Sequence, residues 1–205
     1  MSRAGVRLLL GLVAFVLVGW GVGELLLSAV GSVDLNAVRD VAAERSGIVT
    51  QAARVVTWAG SAFLLIPLAV VICSALVRAG LRREAFAVAF SLGGAILIAA
   101  WVKLLMMRPR PPVEHLQAVT SSSFPSGHAT QASAFWLSLV LALHTARAPS
   151  TITGVAAGLA LIIVLVVAAS RVYLGVHYPS DVAAGVLLGT SWALYVSHCL
   201  RREVQ

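Results

Sequence analysis

Residues 152–173 read ITGVAAGLALIIVLVVAASRVY. The only charge in these 22 residues is Arg171, near the end. As an α-helix the stretch would be about 33 Å long, close to the ~30 Å hydrocarbon core of a bilayer. The apolar residues run without alternation, which favours a membrane helix over a barrel strand.

Working outward, comparable runs occupy Val6–Ala29, Trp58–Val77, Ala85–Met107, Gly127–Ala146 and Asp181–Leu200. The whole chain of 205 residues is 60% hydrophobic and 11% charged, with a mean hydropathy of +0.94. A soluble domain would carry far more charge. The sequence therefore predicts one all-α domain over residues 1–205, a polytopic bundle of six transmembrane helices. No repeat or linker divides it. Ala29-Val30-Gly31, behind Arg3 and Arg7, also fits a signal-peptide cleavage site, although the apolar run is long for one.

Between the spans, Leu35, Val38, Val41, Ala42, Ile48, Val49, Ala52 and Val55 recur at helical spacing. They predict an amphipathic helix over Asp34–Val56, on the outer membrane surface or as a cap on the bundle.

Arginine placement sets the expected orientation. With a cytoplasmic N-terminus, Arg3, Arg7, Arg78, Arg82, Arg83, Arg147, Arg201 and Arg202 all lie inside, as the positive-inside rule prefers. The formal net charge of +7 is largely explained this way. No basic face is interleaved with aromatics, so nucleic acid is not an expected partner. Cys73 and Cys199 imply neither a disulfide nor a metal site. The expected location is the plasma (inner) membrane with both termini cytoplasmic.

Seven basic residues fall on the outer side: Arg39, Arg45 and Arg54 share a segment with Asp34, Asp40 and Glu44, and Lys103, Arg108, Arg110 and Arg171 lie within three polar clusters. The clusters are Lys103–Pro111, Pro125–His128 and Ser170–Asp181, each at the outer end of a span. Alternating topology brings them to one face. Of fifteen basic residues, Lys103 is the only lysine. Arginine forks match two phosphate oxygens, and lysine supplies a point charge. Ser126 and Gly127 open a helix, where unpaired amides favour an anion. A phosphoryl group is the expected ligand of Lys103, Arg110, Arg171, Ser126 and Gly127. Asp181, four residues after His177, is placed to hold one ring nitrogen while the other attacks phosphorus. His128 is placed to protonate the leaving oxygen and then to activate water. Arg108 and His115 are expected to contact a headgroup. His144 and His198, near cytoplasmic ends, are expected to be interfacial only.

These residues resemble the signature of the type-2 phosphatidic acid phosphatase (PAP2) superfamily, K-x6-R-P, P-S-G-H and S-R-x5-H-x3-D. The matches are Lys103 with Arg110-Pro111, then Pro125-Ser126-Gly127-His128, then Ser170-Arg171 with His177 and Asp181. The resemblance implies a metal-independent phosphatase with no cofactor, acting through a phosphohistidine on His177. The family also contains soluble vanadium haloperoxidases; a membrane-spanning chain resembles the lipid-phosphatase branch. Expected substrates are lipid phosphates such as polyprenyl pyrophosphate, phosphatidic acid or phosphatidylglycerophosphate. Transfer of the phosphoryl group to an alcohol fits the same residues. Non-catalytic anion or lipid transport is the third alternative, and it lacks a charged path through the spans.

Overall fold

A computed structural model describes residues 3–201. Arg202, assigned above to the inner side, lies outside the described residues. Helices make up the fold, and no strand occurs among the described residues. They are α1 (Arg3–Ala43), α2 (Gly47–Val56), a 3-10 turn (Thr57–Gly60), α3 (Ala62–Arg78), α4 (Arg82–Met106), α5 (Gly127–Thr145), α6 (Ser150–Tyr173) and α7 (Pro179–Arg201).

Four helices are long and apolar enough to cross a membrane: the Gly5–Leu26 part of α1, α4, α6 and α7. The segment Gly47–Gly60 followed by Ala62–Arg78 forms a fifth candidate, bent by 45°. Six spans were expected, and α3 and α5 account for the difference. α3 has only 17 residues. α5 has 19 but carries Thr130, Gln131, Ser133, Ser138 and His144. The reason is position. α5 packs against α4, α6 and α7, so it meets protein rather than lipid and needs less apolar surface. Its buried hydroxyls bond to carbonyls of their own helix, Thr130 to Ser126, Ser133 to Ala129 and Ser138 to Phe135. That satisfies them without a partner helix.

The tightest helix contact is α5 on α7. A Cβ on Gly185 would stand 2.7 Å from the Ser126 carbonyl oxygen, and one on Gly189 would meet the Thr130 carbonyl. Both glycines are buried in α7. They let the start of α7 lie directly against the start of α5. Trp192, fully buried, anchors the other half of α7. Its ring meets Phe15 of α1 edge-on at 5.4 Å, and its Nε1 donates to Phe90 O of α4 at 3.3 Å.

The single amphipathic helix expected over Asp34–Val56 is instead two pieces. α1 passes through Ala29-Val30-Gly31 unbroken and continues to Ala43, for 41 residues. That is about 62 Å, twice a bilayer core. After a turn, α2 starts behind Ser46, whose Oγ caps the Val49 amide at 3.4 Å. α2 buries Ala53 and leaves Ile48, Val49 and Val55 exposed. Arg45 and Arg54 pin it to the neighbouring loops through the carbonyls of Tyr173, Glu114 and Leu116.

Candidate active site

α4 ends at Met107, a left-handed residue with φ 43° whose amide still donates to Lys103 O. The chain then turns through residues 107–126 before α5 begins. This loop lies over the ends of α4, α5, α6 and α7, and the three polar clusters meet beneath it.

Lys103 Nζ donates to Ser122 O at 2.5 Å and to Ser123 O at 3.2 Å. Arg110 donates to Ser121 O through Nε at 2.8 Å and to Val176 O through Nη1. Arg171 is 2% exposed and gives Nη1 to Thr57 Oγ1 at 2.8 Å and to Gln117 Oε1 at 2.5 Å. Its Nε is buried without a partner. These three cations thus lean on neutral oxygens. Among the described residues none of them lies at ion-pair distance from a carboxylate. Burying a cation without a counter-charge is costly, so such a cluster draws an anion.

His177 sits in the short link between α6 and α7, 2% exposed. Its Nδ1 lies 3.5 Å from Asp181 Oδ2, the only carboxylate near it, a separation too long for a good hydrogen bond. Burial is the main cause that lowers the imidazole from its ordinary 6.5 to about 3, against the opposing pull of Asp181. The ring is neutral at pH 7 and its nitrogen lone pair is available. Nε2 lies 3.5 Å from Arg110 Nη1. His128, in the first turn of α5, is within electrostatic reach of Arg171, His177, Lys103 and Arg110.

The second cluster joins the first through Gly127, where a Cβ would stand 3.9 Å from Lys103 Cε. Ser126 behaves differently from expectation. Its amide is already donated to Asp181 O at 2.9 Å, so it is not a free anion donor. Its hydroxyl, in contrast, is buried without a partner. The first helical bond of α5 runs from Thr130 N to Ser126 O, so the amides of 127–129 precede the ladder. The Phe124-Pro125 peptide bond is cis.

The two residues expected to contact a headgroup differ in placement. His115 is exposed and bonds Pro111 O within its own loop at 2.9 Å. Arg108 is 8% exposed and turned inward. It donates to Asp181 Oδ1 at 2.5 Å and to Asp34 Oδ2 at 2.7 Å, and its guanidinium lies 4.1 Å from the centre of the Tyr178 ring. The physical reason is charge: two buried carboxylates face each other across it. Sequence patterning missed Asp34, and with it the supporting groups Thr57, Gln117, Ser123 and Ser180.

A cleft of about 580 Å³ opens beside Lys103. Its lining includes Ser121, Ser122, Gly127 and Gln131 together with the apolar Ile96, Ala99, Ala100 and Leu104. A cavity of about 20 Å³ near Arg83, Glu84 and Ser197 lies away from the clusters. Among the described residues no group of three or more His, Cys, Asp or Glu is gathered as a metal site.

Residues 84–205 match the family model described as the PAP2 superfamily. A decaprenylphosphoryl-5-phosphoribose phosphatase of Mycobacterium tuberculosis is 40% identical over 116 residues, covering 54% of this chain and 58% of that protein. The putative undecaprenyl-diphosphatase YbjG of Escherichia coli is 32% identical over 113 residues, covering 53% and 52%. The chain thus spans a little over half the length of these curated relatives. Among solved structures, a transmembrane PAP2 type phosphatidylglycerolphosphate phosphatase from Bacillus subtilis superposes with a TM-score of 0.78 at 23% identity, covering 100% of this chain and 98% of that one. LpxE of Aquifex aeolicus gives 0.65 at 19% identity, covering 80% and 94%. At those identities the likeness concerns the fold.

Proposed function

The chain belongs to the PAP2 superfamily, and from that premise we propose that it is a membrane lipid phosphatase. It removes the terminal phosphate of a lipid phosphomonoester or pyrophosphate through a phosphohistidine. The observation that carries this is the set of three cations, Lys103, Arg110 and Arg171, leaning only on neutral oxygens around a buried neutral His177. With Arg108 the centre holds four cations against Asp34 and Asp181, leaving two positive charges. That matches a phosphate dianion.

The positions support the following chemistry. A phosphate held by Arg110 lies next to His177 Nε2, whose lone pair attacks phosphorus. The P–O bond to the lipid breaks, and His128 gives its proton to the leaving oxygen. His128 then takes a proton from water, water attacks the phosphohistidine, and inorganic phosphate leaves with His177 restored. The cations offset charge on the transferring group, where electrostatic catalysis is strongest. They do the work a divalent metal does elsewhere, so chelators are expected to leave activity unchanged.

The cleft beside Lys103 favours a lipid, because its lining joins that cation and polar groups to the apolar residues Ile96, Ala99, Ala100 and Leu104. The named relatives favour a polyprenyl-linked phosphate as the first substrate to try. We further propose six spans, α1 and α3 to α7, with α2 on the membrane surface through Ile48, Val49 and Val55. The site then faces the extracytoplasmic side. Lys103 and Arg171 end α4 and α6 while His128 and Asp181 begin α5 and α7, so antiparallel traverses bring all four to one side of the bundle, and the arginines at the opposite side favour that side as the cytoplasmic one.

The test is release of inorganic phosphate by purified protein from a panel of polyprenyl and glycerolipid phosphates. His177→Ala is expected to release none; wild-type rates in that variant would overturn the assignment. Adding an alcohol acceptor separates hydrolysis from transfer, since transfer yields a phosphorylated acceptor in place of free phosphate.

A further inference from the structure

We propose that Asp34 and Arg108 form a clamp that positions Asp181 against His177, bringing the far end of α1 into the reaction as a positioning element. The inference rests on His177 being the nucleophile.

The geometry is continuous from α1 to α7. Asp34, 4% exposed, receives Arg108 Nη2 at 2.7 Å and the Ser180 amide at 3.0 Å, and the Ser180 hydroxyl also donates to it. Arg108 uses its other nitrogen on Asp181 Oδ1 at 2.5 Å and on Ser180 Oγ at 2.8 Å. The planar guanidinium therefore spans two carboxylates, and its face is covered by Tyr178. On the far oxygen, Asp181 Oδ2 accepts Ser123 Oγ at 2.5 Å and the Tyr178 amide at 2.9 Å. His177 Nδ1 lies 3.5 Å from this same oxygen. Asp181 is thus held through both oxygens, and Asp34 fixes the group that occupies Oδ1.

Charge gives a second reason for the pair. Arg108 alone would strongly neutralise Asp181, which must hold negative charge to steady a phosphorylated imidazole. Asp34 shares the guanidinium and leaves Asp181 that charge. Neither Asp34 nor Arg108 has a described contact with Lys103, Arg110 or Arg171, so the clamp bears on His177 rather than on phosphate binding. A fork is needed, since lysine cannot bridge two carboxylates in one plane.

The test uses full-length protein in detergent, with kcat and KM measured separately. Asp34→Asn keeps the shape and removes the charge. It is expected to lower kcat about tenfold while KM stays within about twofold, in the range of coupled neighbours. Arg108→Lys is expected to behave the same way. Wild-type kcat in both variants, or a loss confined to KM, would overturn the clamp. A readout that needs no turnover is thermal unfolding of Asp34→Asn, Asp181→Asn and the double variant. Each single variant leaves Arg108 one carboxylate, and the double leaves it none. The double is therefore expected to lose more Tm than the two singles together, or to fail to purify where both singles succeed. An additive loss would sink the inference. Absence of any lipid phosphatase activity in the wild type would instead count against the proposed function, with the unfolding result still deciding the clamp.

Discussion

Arg110 Nη1 lies 3.5 Å from Nε2 of His177, across 67 residues of sequence. The same guanidinium also holds Val176 O and Ser121 O, so it is fixed by backbone on both sides of the site. On the proposed function, a phosphate oxygen bound to Arg110 would lie beside this ring nitrogen, with Asp181 at the other, Nδ1.

Arg110→Ala is expected to lower kcat/KM for a lipid phosphate by about 10²–10³, the usual loss for one donor to a developing charge. Arg110→Lys retains charge but loses the fork and is expected to fall between the variant and the wild type. Phosphate release under subsaturating lipid measures both. An Arg110→Ala protein with more than half the wild-type kcat/KM would show that the 3.5 Å approach is incidental.

The clusters were legible because their residues are unusual for their surroundings. Lys103 is the only lysine, and Arg171 is the only charge in its span. Asp34 was not legible for the opposite reason. It sits among Arg39, Asp40 and Glu44, where an acid looks like part of a solvated segment. One signal was present. Gly23, Asp34 and Val38 are all buried on α1, eleven and four residues apart, which is one helix face. Finding it required knowing that α1 continues past Gly31, and the end of the apolar run hid that. α5 is the span least marked by hydropathy, because hydropathy cannot distinguish a helix facing lipid from one facing other helices. The inward pairing of Arg108 was not legible because its two carboxylates come from α1 and α7, and no local spacing links them.

The neutral state of His177 has a consequence for stability. Its folded pKa, pushed by burial to about 3, lies below the ordinary 6.5. Between those values the unfolded chain binds a proton that the folded chain does not. The histidine therefore favours the folded state fully above about pH 6.5 and loses that contribution as pH falls toward 3. His177→Gln removes the proton site and is expected to flatten the fall in Tm between pH 6.5 and pH 4.5. Parallel Tm curves for the two proteins would contradict a buried neutral ring.

Packing between α5 and α7 sets the distance from Ser126 to Asp181. Their backbones touch, with the Ser126 amide 2.9 Å from Asp181 O. Gly189 lies below that contact, and a Cβ there would also stand 3.0 Å from Ser133 Cβ. Gly189→Ala pushes two helix backbones apart and is expected to cost about 1–3 kcal/mol, as overpacking usually does. Because the displacement is carried to His128 and Asp181, phosphate release should fall with it. Gly154, on the outer face of α6 with nothing within 4 Å of an added Cβ, is the control. Gly154→Ala should leave both Tm and activity near wild type, and equal losses at the two glycines would remove the packing explanation.

Orientation is tested at His115, which is exposed in the loop that covers the site. The two native cysteines are first replaced by serine; Cys199 is buried and Cys73 half-buried, so background is small. A cysteine is then placed at His115 and, separately, at Arg147, which is exposed in the turn between α5 and α6. If the site faces outward, a membrane-impermeant thiol reagent labels the first in intact cells and the second only after lysis. The contrast follows from helix polarity: His115 lies in the loop between α4 and α5, and Arg147 in the next turn, one traverse of α5 away. Labelling at Arg147 alone in intact cells would invert the protein and put the phosphate cradle on the cytoplasmic side. Labelling at both would mean that α5 does not cross the bilayer at all.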